Sequence, residues 1–278
     1  MARSGASAAQ SKNMAERDPL RVIADYATQT WAVAAAEIEK LIHDPLELVT
    51  RAVQPVLWLL LFGEVMARIR GVSPGNLQYL DFLAAGILAQ SCLFVAIFYG
   101  ISAIWERDLG VLQRYLVSPA PRTALVMGKS LSAGVRALSQ AFIVYLLALG
   151  LGVGISLAPA SIAGVIAVIV LGSALFSTFS LIIACTVKTR ERFMGIGQIL
   201  TMPVFFASNA IYPLSLMPGW LRVISRANPL TYEVDALRSM MLIRGAFDYG
   251  LALDFGVLFA VTALLTAIAA SLYGRMGY

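Results

Sequence analysis

The sequence predicts an all-α polytopic membrane protein. Six spans are expected, with an amphipathic helix before the first and a re-entrant helical hairpin between the fifth and sixth. Three observations carry this. Of 278 residues 59% are apolar and only 13% are charged, and mean hydropathy is +0.78. A soluble domain carries roughly 45–50% apolar and about 25% charged residues. Six stretches are apolar enough to cross a bilayer, which takes about 20 residues of helix. Lys and Arg divide unequally between the two sides, 15 against 6. By the positive-inside rule both termini are then cytoplasmic, which an even number of spans requires.

Residues 1–18 are small, polar and low in complexity, and read as disordered. They hold no apolar core of the kind a cleaved signal needs. An amphipathic helix is expected over 19–44. Leu20, Ile23, Ala27, Trp31, Ala34, Ile38 and Leu41 form one stripe, with Arg21, Asp25, Gln29, Glu37 and Lys40 on other faces. It is too polar to span. It either lies along the cytoplasmic membrane surface or packs on a soluble partner. Asp44-Pro45 ends it. The rest, 45–278, is the six-span domain, with spans at about 50–68, 80–104, 131–154, 160–187, 194–216 and 250–273.

The loop after span two holds Glu106, Arg107 and Asp108 between apolar Leu109, Leu112, Tyr115 and Leu116, and predicts a short amphipathic helix stopped by Ser118-Pro119. Further on, Gly128-Lys129-Ser130 invites a phosphate-loop reading. That motif needs a glycine where Thr123 stands, and a preceding strand. Lys129 reads instead as a positive anchor at the inner membrane surface. Between spans five and six, Pro218 starts one helix with Trp220, Leu221 and Ile224 on a face. Asn228-Pro229 breaks it and opens a second, striped with Leu230, Val234, Leu237 and Met241. Helical backbone of this kind can re-enter a leaflet.

Polar groups inside spans are costly and usually face a bundle interior or a cavity. The candidates to line a pathway are Gln54, Trp58, Glu64, Gln90, Phe94, Phe205, Phe206, Ser208 and Asn209. Glu64 either pairs with Arg68 one turn on or sits in water at the outer interface. Arg136 reads as reaching toward the cytoplasm, and Gln140 and Gln198 as interior polar groups. Gly63, Gly86, Gly195 and Gly197 read as close-approach positions and Pro203 as a kink. With one His and two Cys there is no set for a metal cluster or a disulfide scaffold. His43 reads as a cap or surface residue, and Cys92 and Cys185 as packing groups.

In motif order the chain resembles the ABC-2 permeases, the integral membrane subunits of drug, lipid and polysaccharide exporters. The resemblance rests on Glu106…Gly110…Leu116-Val117-Ser118-Pro119…Gly128-Lys129. It rests also on Pro218-Gly219-Trp220-Leu221, then Asn228-Pro229-Leu230-Thr231-Tyr232…Asp235-Ala236-Leu237-Arg238. It implies a cytoplasmic coupling helix built from Glu106, Arg107, Asp108, Gly110, Leu112, Gln113, Leu116, Ser118 and Pro119. Gln113 stands where similar proteins often carry Glu. It implies an outer hairpin marked by Pro218, Trp220, Asn228, Pro229, Tyr232, Asp235 and Arg238. It further implies a location in the cell inner membrane and pairing with a second permease chain, a homodimer in preference to a heterodimer. Two copies of an ATP-binding subunit would carry the Mg-ATP.

The residues themselves add that no phosphate loop occurs here, and no segment is long and polar enough to be an ATPase domain. No cofactor is expected on this chain, nor any nucleic-acid partner. Export of an amphipathic drug or lipid is the leading expectation, with a polysaccharide or glycolipid as the alternative substrate. An ion-coupled secondary transporter is the rival class. It would typically show a repeat of halves or mid-span acids.

Overall fold

The computed structural model describes residues 28, 35, 39, 50, 53–67, 78–109, 122–187, 189–245 and 248–273. The expected disordered terminus, most of the expected interfacial helix, and Gly110 to Pro119 lie outside them. So do Arg68, His43 and the Glu64 side chain.

Among the described residues the chain is almost wholly helical, with no strand beyond one bridge between Ile155 and Leu242. We number the helices in chain order. α1 is Val53–Gly63, π-helical over Trp58–Gly63 and continued by Glu64–Ala67. α2 is Tyr79–Tyr99 and α3 is Ile101–Asp108. α4 is Arg122–Gly150, α5 is Pro159–Thr186 and α6 is Arg190–Phe206. A 3₁₀ turn at Leu214–Leu216 precedes α7, Gly219–Ala227, and α8, Pro229–Met241. α9 is Leu251–Tyr273.

The punctuation follows local chemistry. Gly152, at φ +79°, closes α4: its N–H donates to Leu149 O at 3.1 Å and the next N–H reaches Ala148 O at 3.0 Å. Pro159 opens α5 in the first turn, where no N–H is needed. The Thr189 hydroxyl caps α6, and the Asn228 side chain caps α8 by accepting from Leu230 N at 3.0 Å.

α5 is the central post and packs on α4, α9, α2 and α8. The larger core lies around α2, α5 and α8, and a smaller one gathers Ile104, Val126, Leu181 and Phe193 at the α3 end. Outward faces stay apolar, as Phe142 and Leu146 on α4 and Phe259 and Leu264 on α9 illustrate. That is the arrangement a bilayer rewards, because lipid replaces water there.

Four helices are long and apolar enough to span: Tyr79–Asp108, Leu125–Gly150, Pro159–Thr186 and Leu251–Leu272. They correspond to the expected second, third, fourth and sixth spans. Two expected bounds change. The third helix, α4, begins at Arg122, nine residues before 131, and Lys129 inside it is 5% exposed and paired with Glu106. The fifth ends at Phe206 rather than 216, after 17 residues with Pro203 inside. Ser208 there turns its hydroxyl back to Phe205 O at 2.7 Å, and the chain leaves the helix. The described part of the first, Val53–Gly63 continued by Glu64–Ala67, lies within the expected 50–68.

Candidate functional site

Three groups of polar residues sit at three depths of the bundle. The first is at the α3 end. Gly100 separates α2 from α3, and its N–H donates to Ile97 O at 3.2 Å. A Cβ there would fall on the Ser180 hydroxyl, which itself donates to Ile97 O. The α2–α3 junction thus lies tight on α5. Three consecutive charges at the end of α3 then reach three different helices or their ends. Glu106 pairs with Lys129 of α4 at 2.6 Å, and Lys129 is 5% exposed. Arg107 donates to Val187 O, just past α5, at 3.2 Å. Asp108 accepts from Arg190, at the start of α6, at 3.0 Å. The Arg190 guanidinium also lies 3.7 Å over the Trp105 ring. Beyond them Leu109 is 70% exposed.

Lys129, expected as an anchor at the inner membrane surface, is packed inside the bundle at the α3 end. Arg136 lies 5.5 Å from the Tyr99 ring, between α4 and α2. Gly195 has open space around it among the described residues, so close approach does not explain it.

The second group is at mid-depth. A cavity of about 300 Å³ opens between α1, α2 and α4, lined by Gln54, Ser91, Phe94, Val95, Phe98 and Gln140, among others. The Phe94 and Phe98 rings lie 6.0 Å apart. Trp58 packs edge-on against Phe205 at 5.9 Å, and Phe205 lies 5.3 Å from Phe206. Gln54 and Phe94 therefore meet in one cavity, and Trp58 and Phe205 meet beside each other. Gln90 is buried but does not line that cavity. Asn209 is buried at the opposite end of the bundle from α3.

The third group holds that opposite end. Asp235 accepts from Asp248 N at 2.8 Å and from Tyr249 N at 2.9 Å. Burial raises its carboxyl above the usual range, against the pull of those two N–H groups. Arg238 donates to Asn209 O at 2.9 Å and stacks 3.8 Å over Phe82. Asn209 Nδ2 reaches Asp248 at 3.4 Å, and Asn228 Nδ2 donates to Val204 O at 2.6 Å. Tyr232 donates to Arg226 O at 2.7 Å, and its ring meets Tyr249 at 5.1 Å. Pro218 precedes α7, Pro229 opens α8, and Trp220 is 68% exposed. Sequence reasoning passed over Lys129 as a partner and Glu233 as a buried acid. Glu233 had a visible signal. It falls on the α8 stripe between Leu230 and Leu237, where an apolar residue is expected.

A helical bundle with four helices long and apolar enough to span defines a multi-pass membrane protein. The model of the ABC-2 type transporter family matches residues 28–242, and the chain belongs to that family. It is similar to a daunorubicin resistance ABC transporter permease of Streptomyces coeruleorubidus, 26% identical over 93% of this chain and 88% of that one. It is also similar to the ycf38 transport permease of Cyanophora paradoxa, 30% identical over 70% and 67% of the two chains. A multidrug ABC transporter permease of Escherichia coli K12 matches at 28% over 62% of this chain and 47% of its own. The chain is thus an ABC transporter permease, a transport component whose family works with an ATP-binding subunit.

Proposed function

We propose that this chain is half of a dimeric export pathway in the cell inner membrane, with both termini in the cytoplasm. Two copies of a separate ATP-binding subunit, carrying Mg-ATP, drive it. The observation that carries the reading is the α3 end. Glu106, Arg107 and Asp108 are spent on α4, the end of α5 and the start of α6. A push on α3 therefore reaches three membrane helices at once. Docking falls to the exposed Leu109 and the loop beyond it, with Gly110, Leu112, Gln113, Leu116, Ser118 and Pro119.

The pathway runs between two permease chains, a homodimer by preference, along α1, α2 and α6. Gln54, Trp58, Glu64, Gln90, Phe94, Phe205, Phe206, Ser208 and Asn209 are its candidate lining. An amphipathic drug or lipid-like substrate suits the cavity beside α1, which offers amides and aromatic rings together. Relatives described as daunorubicin-resistance and multidrug permeases support the same class.

The test separates docking from transmission. Leu109→Asp with Leu112→Asp should abolish ATPase binding, whereas Glu106→Lys should keep binding and lose transport. Normal binding and transport in the double variant would overturn the docking assignment. Cysteine pairs placed across α1 and α6 should cross-link between chains, and links confined to one chain would contradict the dimeric path.

A further inference from the structure

The hairpin carries one acid to the middle of the bundle. Glu233 of α8 is fully buried. A Cβ at Gly172 of α5 would collide with its carboxyl, and Cys92 of α2 lies within its electrostatic reach. Gly172 is at the midpoint of α5, and Cys92 is near the middle of the span Tyr79–Asp108. Two apolar helices thus hold the carboxyl about 20 Å from the nearer end of α5. Neither carboxyl oxygen has a hydrogen-bond partner among the described residues.

Among the described residues the elements packed on α8 supply no counter-charge: on α7, Arg222 donates to the Leu214, Ser215 and Met217 carbonyls, and Arg226 lies beside Tyr249. α5 contains no Asp, Glu, Lys or Arg, and the acid of α2, Asp81, accepts from Gly154 N at 3.1 Å. Arg238, the one cation of α8, is committed to the Asn209 carbonyl and the Phe82 ring. Asp235, on the same helix, takes the Asp248 and Tyr249 backbone N–H groups. Asp254 of α9 faces Asp235 and Asp248. The remaining titratable groups of α2 are Tyr79, Cys92 and Tyr99, none of them cationic. An ionised carboxylate left alone at such depth costs far more than a protonated one.

We infer that Glu233 is a proton-binding site, filled when α8 is seated against α5 and α2 and emptied when the hairpin lifts and water reaches the carboxyl. On seating, hydronium gives its proton to a carboxylate oxygen, an O–H bond forms and water leaves. Lifting reverses the step. The seated hairpin holds one proton more than the lifted one. Acid on that face therefore favours the seated state, by up to about tenfold per pH unit.

The experiment uses the full chain in lipid nanodiscs and does not depend on its being an exporter. Infrared spectra at neutral pH should contain the C=O stretch of a protonated carboxyl, and Glu233→Gln should remove a component of it. Asp81→Asn should leave that component in place. Thermal midpoints add a second readout. The wild-type midpoint should fall relative to that of Glu233→Gln as pH rises, since the acid's contribution is present when protonated and lost on ionisation. An unchanged carboxyl band in Glu233→Gln, or parallel midpoints at all pH values, overturns the inference. Should Glu233→Gln fail to fold, Glu233→Asp must still show the band, and its absence there counts equally against the site.

Discussion

The two ends of the bundle hold their charges in opposite ways. At the α3 end charged side chains meet charged side chains from other helices, Glu106 with Lys129 and Asp108 with Arg190. Glu106 is 26% exposed and Asp108 40%, so water competes with both pairs. At the hairpin end the buried charges are held by backbone. Asp235 takes N–H groups, Arg238 gives to a carbonyl, and both are nearly inaccessible. Side-chain pairs near water break and re-form at low cost, whereas buried backbone clamps open at a greater one. The comparison assigns ready movement to the α3 end and the rarer, costlier opening to the hairpin end.

Substitutions at the hairpin end should therefore be structural, and those at the α3 end functional. The largest effect is expected for Arg238→Met, which leaves the Asp235 and Asp248 charges without their cation. It should cost about 3 kcal/mol or more, read as a lower thermal midpoint and poor recovery of folded protein. Gly86→Ala follows. Its Cβ would fall on the Ala210 carbonyl, with the Ala210 Cα 2.9 Å away. Backbone cannot give way as a side chain can, so about 2–3 kcal/mol should be lost.

Lys129→Met should be milder in stability, about 1–2 kcal/mol, because Glu106 can turn to water. Its transport, however, should fall sharply while the ATPase stays bound. The smallest stability effect is expected for Arg190→Gln, below about 1 kcal/mol, because the pair with Asp108 is partly exposed. A loss of folding in Lys129→Met as large as in Arg238→Met would break the comparison.

How much of this was legible depended on what each signal needed. α5 and α9 are readable because their apolar runs are long and almost free of charge, α5 holding none and α9 only Asp254. The true start of α4 is hidden because Lys129 looks too costly for a span, and its partner Glu106 lies on another helix. α6 was drawn too long because residues 207–216 remain apolar in composition. What ends the helix there is the fold-back of Ser208 and the packing of Ala210 on Gly86. Asp235 and Arg238 stood out through the family resemblance. Glu233 did not, because a single acid on an apolar stripe gains meaning only once Gly172 is placed beside it.

The central claim is that a separate ATPase drives this chain through its α3 end. The most direct measurement is to purify the tagged chain from native membranes in mild detergent and identify what accompanies it by mass spectrometry. A stoichiometric ATP-binding subunit with vanadate-sensitive hydrolysis in the complex is the predicted result. A chain that repeatedly purifies intact and alone, with no ATPase bound, would contradict it and point to an ion-coupled transporter.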